Sequence, residues 1–274
     1  MNSGERCLTG PAVKEFCEYY VHNFLHSRNM KDIEVTFDST GGLGTFIDNG
    51  NSVRINVNLQ KLRKIGSYTE LAMTLSHELT HATDSAKNKQ EGKFNRDDGT
   101  GLIDAYDLNI SDIGATGEVK NLLVDMKRVC YIVDPNERSG RIGELSALLF
   151  MQKVGSGDKN IQAEIKESVA RYIKYQQKTI DTLNSVSEKI ENFKARIVAL
   201  KEQGLVSENS ATYQIMQKQL KYIERNGLNV SVEKEIESQE AARRILEQRE
   251  QERQNESRKK EQEMIEMEES GRQM

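Results

Sequence analysis

Hydrophobic residues between positions 11 and 28 recur at helical spacing. Val13, Phe16, Cys17, Tyr20, Val21, Phe24 and Leu25 form one stripe that opens at Pro11. The period then falls to two. Ile33, Val35 and Phe37 alternate with polar residues, Gly41-Gly42-Leu43-Gly44 interrupts the run, and residues 45–48 resume it. Asp48-Asn49-Gly50-Asn51 signals a turn, after which Val53, Ile55 and Val57 alternate again. These segments predict a small antiparallel sheet. Residues 69–87 return to helical spacing, with Leu71, Leu75, Leu79 and Ala82 on one face.

Residues 88–116 are rich in Gly, Asp and Asn and read as a long irregular connection of the kind that surrounds a site. Helices are expected over 117–133 and 140–154, divided by Asp134-Pro135-Asn136. Beyond Gly155-Ser156-Gly157 the pattern changes. Residues 161–200 contain no Pro or Gly, and Leu183, Val186, Ile190, Phe193, Ile197 and Leu200 step alternately by three and four. Tyr213, Met216, Leu220 and Ile223 repeat that spacing after a polar break, so an antiparallel helical hairpin of coiled-coil type is expected. From about residue 232 Glu, Arg, Gln and Lys dominate, as in a solvated single helix or a disordered tail. The expected organisation is α+β: a domain with the small sheet at 1–154, the α-helical hairpin at 158–230, and a charged tail at 231–274.

Composition narrows the function classes. The 274 residues are 30% charged and 36% hydrophobic, with net charge -4, which disfavours a nucleic-acid binder because no cationic excess exists to neutralise phosphates. Three widely spaced cysteines, Cys7, Cys17 and Cys130, form no disulfide framework and no thiolate metal site. No apolar run approaches the ~20 residues of a membrane span. The N-terminus lacks the apolar core of a secretory signal, so synthesis in a bacterial cytoplasm is expected, without excluding export that needs no cleaved signal.

The chemistry concentrates at His77-Glu78-Leu79-Thr80-His81. Two histidines four apart on a helix present both imidazoles on one face and can grip one zinc ion (Zn2+), while Glu78 stands beside the metal as a general base. Only four histidines occur in the chain, and the motif lies on an amphipathic helix after an alternating strand, which raises its weight. The bland alternative is a pair of surface histidines with a salt-bridging glutamate. A catalytic zinc needs a third protein ligand. Asp84 shares the helix face, but positions i, i+4 and i+7 span ~10.5 Å along a straight helix, too far for one ion, so Asp84 reads as a hydrogen-bonding support or an anchor. Glu144 is the favoured ligand, because a carboxylate among the apolar residues of 143–150 is costly unless paired or ligating. Its rivals are Glu137 and Asp104, and the non-functional alternative is a helix-dipole carboxylate.

The combination His77-Glu78-x-x-His81-Ala82-x-Asp84 followed by Glu144-x-x-Ala147-x-x-Phe150 resembles the zincin domain of lethal-factor-type bacterial toxins. It is also similar to zinc-protease effectors that bacteria inject into host cells. The likeness covers about residues 33–154 and leaves out the hairpin. It implies a gluzincin metalloprotease: His77, His81 and Glu144 on zinc, Glu78 as base, and an endopeptidase that hydrolyses a peptide bond in a protein substrate of the host. It further implies an edge strand that pairs with extended substrate, a place that 53–57 would fill, and a tyrosine that assists the oxyanion, either Tyr106 or Tyr131.

Weaker signals complete the picture. His22 and His26 are four apart but lack a glutamate and a downstream ligand, and read as a polar helix face. The heptads over 183–200 have an internal mate at 213–223, with a helical partner protein as the alternative occupant of 158–230. Glu261-Gln262-Glu263-Met264-Ile265-Glu266-Met267-Glu268-Glu269 reads either as a solvated face or, by resemblance, as the glutamate-rich export signal of type IV secretion effectors. A coiled-coil adaptor with a degenerate zincin domain and a housekeeping bacterial peptidase are the competing functions.

Overall fold

The structure is a computed structural model that describes residues 10–26, 33–38, 44–48, 53–58, 60–61, 67–90, 113–155 and 158–271. Asp104, Tyr106, Cys7 and most of the connection over 88–116 lie outside the described residues. The elements are α1 (Gly10–His26), β1 (Glu34–Asp38), β2 (Gly44–Asp48), β3 (Val53–Asn58), α2 (Tyr68–Gln90), α3 (Gly117–Val133), α4 (Pro135–Val154), α5 (Lys159–Asn184), α6 (Val186–Glu202), α7 (Ala211–Gly227) and α8 (Glu233–Gly271). The fold is α+β and mostly helical. No helix of the described residues is long and apolar enough to cross a membrane.

The strands form one sheet in the order β1-β3-β2, with β3 parallel to β1 and antiparallel to β2. The expected antiparallel sheet is therefore mixed. Segment 53–57, expected at an edge, is the centre, and both of its flanks are already paired. Alternation in sequence fixes which face a strand buries but carries no information about which strand lies next to it. Ile55 and Val57 are fully buried from β3, packed with α1 and α2.

Helix α2 starts where a hydroxyl can satisfy its first amides. Ser67 Oγ accepts from the Glu70 N–H at 3.2 Å and donates to Glu164 Oε2 of α5 at 2.9 Å. The predicted face Leu71, Leu75, Leu79 and Ala82 is buried, each leucine contributing about 1.5–3 kcal/mol of transfer free energy. Ser76, Ala72 and His77 are buried on other sides of the same helix, so α2 runs through the interior.

Helix α4 begins earlier than expected. Pro135 occupies its first turn, and Asp134 caps it, Oδ1 accepting from the Asn136 and Glu137 N–H groups at 2.7 and 3.1 Å. The Tyr222 hydroxyl of α7 donates to Asp134 Oδ2, fixing the cap from the other side. Two glycines then let α4 close onto α2. A Cβ at Gly143 would lie 2.1 Å from Thr80 Oγ1, and one at Gly140 would lie 2.8 Å from His77 Cε1 and Nε2. Ser139 Oγ donates to Asp84 Oδ2 at 2.6 Å across the same seam, which gives Asp84 the anchoring role.

The apolar residues form two cores. One joins α1, β3, α2 and α4 to Ile165, Val169 and Tyr172 of α5 and to Ala242 and Ile245 of α8. The other joins Leu122, Leu123 and Met126 of α3 to α6 and α7. The hairpin α6/α7 is present and antiparallel, as the Lys194–Glu224 and Lys201–Glu208 pairs require, but α3 makes it three-helical. Packing thus crosses the division expected near 154–158, because α5 carries a continuous apolar stripe whose first half faces the first core. Although 161–200 holds no Pro or Gly, it is divided at Ser185, whose Oγ donates back to Asp181 O at 2.7 Å. The first part of α8 is docked on α4 by a bidentate pair, Arg138 Nε and Nη2 to Glu235 Oε1 and Oε2 at 2.7 and 2.9 Å. Residues 250–265 of α8 are exposed on every side.

Candidate metal centre

His77 and His81 leave α2 one turn apart toward the first turns of α4, with ring centroids 4.7 Å apart and planes nearly perpendicular. Glu137 meets them from α4. Its Oε2 lies 3.3 Å from His77 Nε2 and its Oε1 lies 3.7 Å from His81 Nε2. One donor atom from each of His77, His81 and Glu137 falls within 4.8 Å of the other two. Two donors bound at ~2.1 Å to a common zinc can be at most about 4.2 Å apart, and the Glu137 carboxylate comes within that distance of each Nε2, through Oε2 to His77 and through Oε1 to His81. The buried Glu137 Oε2 also makes no hydrogen bond. A buried carboxylate oxygen without a hydrogen bond, 3.3 Å from an imidazole nitrogen, is a group that a cation would satisfy. The donor set could therefore hold a metal ion.

Glu144 sits elsewhere. Its Oε1 accepts from His77 Nδ1 at 3.0 Å, on the ring nitrogen turned away from Glu137. The carboxylate expected as the third ligand thus backs a histidine, and Glu137, the rival, faces both Nε2 atoms. With a carboxylate as its acceptor, Nδ1 carries hydrogen, which leaves Nε2 as the nitrogen available to a metal. Both glutamates lie on one face of α4, seven residues and about two turns apart, with Glu137 nearer its N-terminus.

Burial would lower the pKa of His77, but the Glu137 and Glu144 carboxylates beside its two ring nitrogens outweigh that and push it up to about 9. His81 is held below its ordinary value by burial and by repulsion from His77, which favours the neutral, ligating imidazole. Burial acts to raise Glu137, yet the adjacent His77, together with Tyr131 and His81, leaves it lowered. Glu78 is raised, mainly by burial, although His77 and its hydrogen bond from the Phe46 N–H, 2.8 Å from Oε2, oppose the shift. A carboxylate tuned upward, pinned by the Phe46 N–H and within electrostatic reach of His77, is suited to accept a proton.

Tyr131, a candidate for the oxyanion role, points instead into the hydrogen-bond network. Its oxygen accepts from Arg141 Nη2 at 2.8 Å, and its hydroxyl is bonded to Glu137. Arg141, absent from the sequence-based set, reaches Glu144 Oε1 with Nη1 at 2.9 Å. Gly140 was missed as well. Its lack of a side chain is what admits the His77 ring against α4. The signals were available as Gly140-x-x-Gly143, the spacing of a close helix contact, and as the stripe Glu137, Arg141, Glu144 at helical spacing among small and apolar neighbours. His22 and His26 lie on α1, with rings stacked at 6.1 Å.

Adding one methyl group tests this packing. Gly140→Ala should push His77 off α4, costing about 1–3 kcal/mol of stability, as overpacked sites do. Chemical denaturation reads it out; a variant as stable as the parent would mean that the ring moves aside freely.

Comparison with models of known protein families, with curated proteins and with solved structures finds no match for this chain.

Proposed function

We propose that the protein is a zinc-dependent endopeptidase of zincin type, with His77, His81 and Glu137 as the metal ligands and Glu78 as the general base. The observation that carries this reading is the convergence of a glutamate from α4, sixty residues downstream of His77, on the Nε2 atoms of the His77–His81 pair. His77, His81 and Glu137 would hold the zinc, which would supply a Lewis acid and bring the pKa of a water toward neutrality. Glu78 takes the proton of the attacking water and passes it to the leaving amine. Glu144 keeps His77 in the tautomer that offers Nε2.

Strand β2 supports the peptide-substrate part of the reading. It is an edge strand, and the N–H of Phe46 points out of the sheet to Glu78. Alternate residues share that direction, so Gly44, Phe46 and Asp48 present backbone groups along the edge beside the base. Gly44 permits the approach, since a Cβ there would lie 2.5 Å from Thr74 Cγ2 and 3.0 Å from Glu78 Cγ. The substrate-pairing role thus passes from 53–57 to β2.

The ligand assignment is tested by comparing Glu137→Gln with Glu144→Gln. Loss of the carboxylate behind His77 should weaken zinc binding about 10–100-fold. Loss of Glu137 should weaken it more, as read by competition with a chromophoric chelator. The reverse order would put Glu144 on the metal.

The setting is proposed to be that of a bacterial effector acting on a host protein. Support comes from the resemblance of the motifs to injected zinc proteases and from the glutamate-rich end of α8, whose residues 261–265 are exposed. Deleting residues 255–274 should abolish delivery into host cells and leave the thermal melt unchanged, because 250–265 contribute nothing to either core. Unimpaired delivery would remove the export role.

A further inference from the structure

We propose that Arg141 is the positioning residue of this site: one guanidinium that fixes Glu144 behind His77 and, through Tyr131, Glu137 in front of both histidines. The inference rests on the zinc reading above and deepens it. Arg141 Nη1 donates at 2.9 Å to Glu144 Oε1, the same oxygen that accepts from His77 Nδ1 at 3.0 Å. Arg141 Nη2 donates at 2.8 Å to the Tyr131 oxygen. With that lone pair taken, the Tyr131 hydroxyl hydrogen is directed to the Glu137 carboxylate.

The two arms of one planar group therefore end on the supports of two different proposed ligands. A guanidinium suits this task because its donors are fixed relative to one another, whereas an ammonium offers one movable point of charge. The plane itself is held. Its central carbon lies 4.2 Å from the Tyr175 ring centroid on α5 and 5.5 Å from that of Tyr131 on α3. Helical spacing makes the wiring possible, since Arg141 follows Glu137 by four residues and precedes Glu144 by three. An arginine that served only to hold the helices together would have no reason to share the oxygen that backs His77.

The experiment measures zinc affinity of the full chain by competition with a chromophoric chelator, using zinc alone as probe, alongside a thermal melt of the metal-free protein. Arg141→Lys keeps the charge and loses the fork. It should melt cooperatively and bind zinc about 10–100-fold more weakly. The cobalt-substituted absorption spectrum should shift with it, because the ligand geometry is altered. The same substitution made on Glu144→Gln/Tyr131→Phe should add less than about a twofold further loss, since both arms are already cut. Zinc affinity equal to the parent's, or an undiminished loss in the doubly substituted background, would overturn the proposal. Should Arg141→Lys fail to fold, Tyr131→Phe and Glu144→Gln each cut one arm, and parental affinity in both would overturn it equally. A parent protein that binds no zinc would remove the metal reading and this one together; a parent that binds it while Arg141→Lys binds as tightly removes only the role of Arg141.

Discussion

His77→Ala should eliminate stoichiometric zinc from the purified protein and with it all cleavage of protein substrates. The expectation follows from the double duty of the ring. Nε2 faces Glu137 and Nδ1 donates to Glu144, so its removal takes away one donor and frees both carboxylates. Glu144 is buried and Glu137 half-buried, Arg141 remains as the cation paired with Glu144, and breaking such a network costs about 3–5 kcal/mol. Metal analysis must therefore be read together with a melt. His81→Ala supplies the control, because His81 is more exposed and lies outside the Glu144–Arg141 pair. It should lose zinc with a smaller loss of stability. Zinc retained at one equivalent in His77→Ala would refute the metal centre.

Glu78→Gln separates binding from chemistry. The amide keeps the shape of the side chain, and its carbonyl oxygen can still accept the Phe46 N–H that the carboxylate accepts at 2.8 Å. Zinc content should be that of the parent, since Glu78 is not part of the His77–His81–Glu137 cluster. Cleavage should fall by about 10²–10⁴, the contribution of a general base. Turnover within tenfold of the parent would remove Glu78 from that role. A loss of both zinc and turnover would instead make Glu78 part of the metal shell.

The motif half of the site was legible because a helix turns four spacings into neighbours. His77, Glu78 and His81 could be placed on α2 from the apolar stripe alone. The third donor was not legible, for a local reason. Asp134-Pro135-Asn136 reads as a break between helices, and a break leaves Glu137 in a loop with no defined direction. In the structure proline opens the helix and Asp134 caps it, so Glu137 falls in the first turn with a fixed bearing. The argument that a carboxylate among apolar residues must have a partner was sound for Glu144. It could not distinguish a metal from a histidine nitrogen and an arginine as that partner.

The same limit governs the fold. The stepped pattern began only at Leu183, near the end of α5, and the structure adds that Ile165, Val169 and Tyr172 lean on the first core while Leu183 joins the second. A change of composition at Gly155-Ser156-Gly157 looked like a boundary between units, yet both α5 and α8 return to pack against α4. For the sheet, alternation gave three strands and their buried faces. Their order follows from connections that alternation does not encode.

The glycine seam between α2 and α4 makes the site a matter of phase. Each residue of an α-helix advances 1.5 Å and turns about 100°. Gly140 seats His77 and Gly143 seats Thr80, so α4 can mesh with α2 in one angular setting only. Inserting a single residue between Glu137 and Gly140 would keep the helix and lengthen it by only about 1.5 Å, yet swing Glu137 about 100° away from the histidines. The ligands are thus indexed to one another by two missing side chains, much as teeth index a gear.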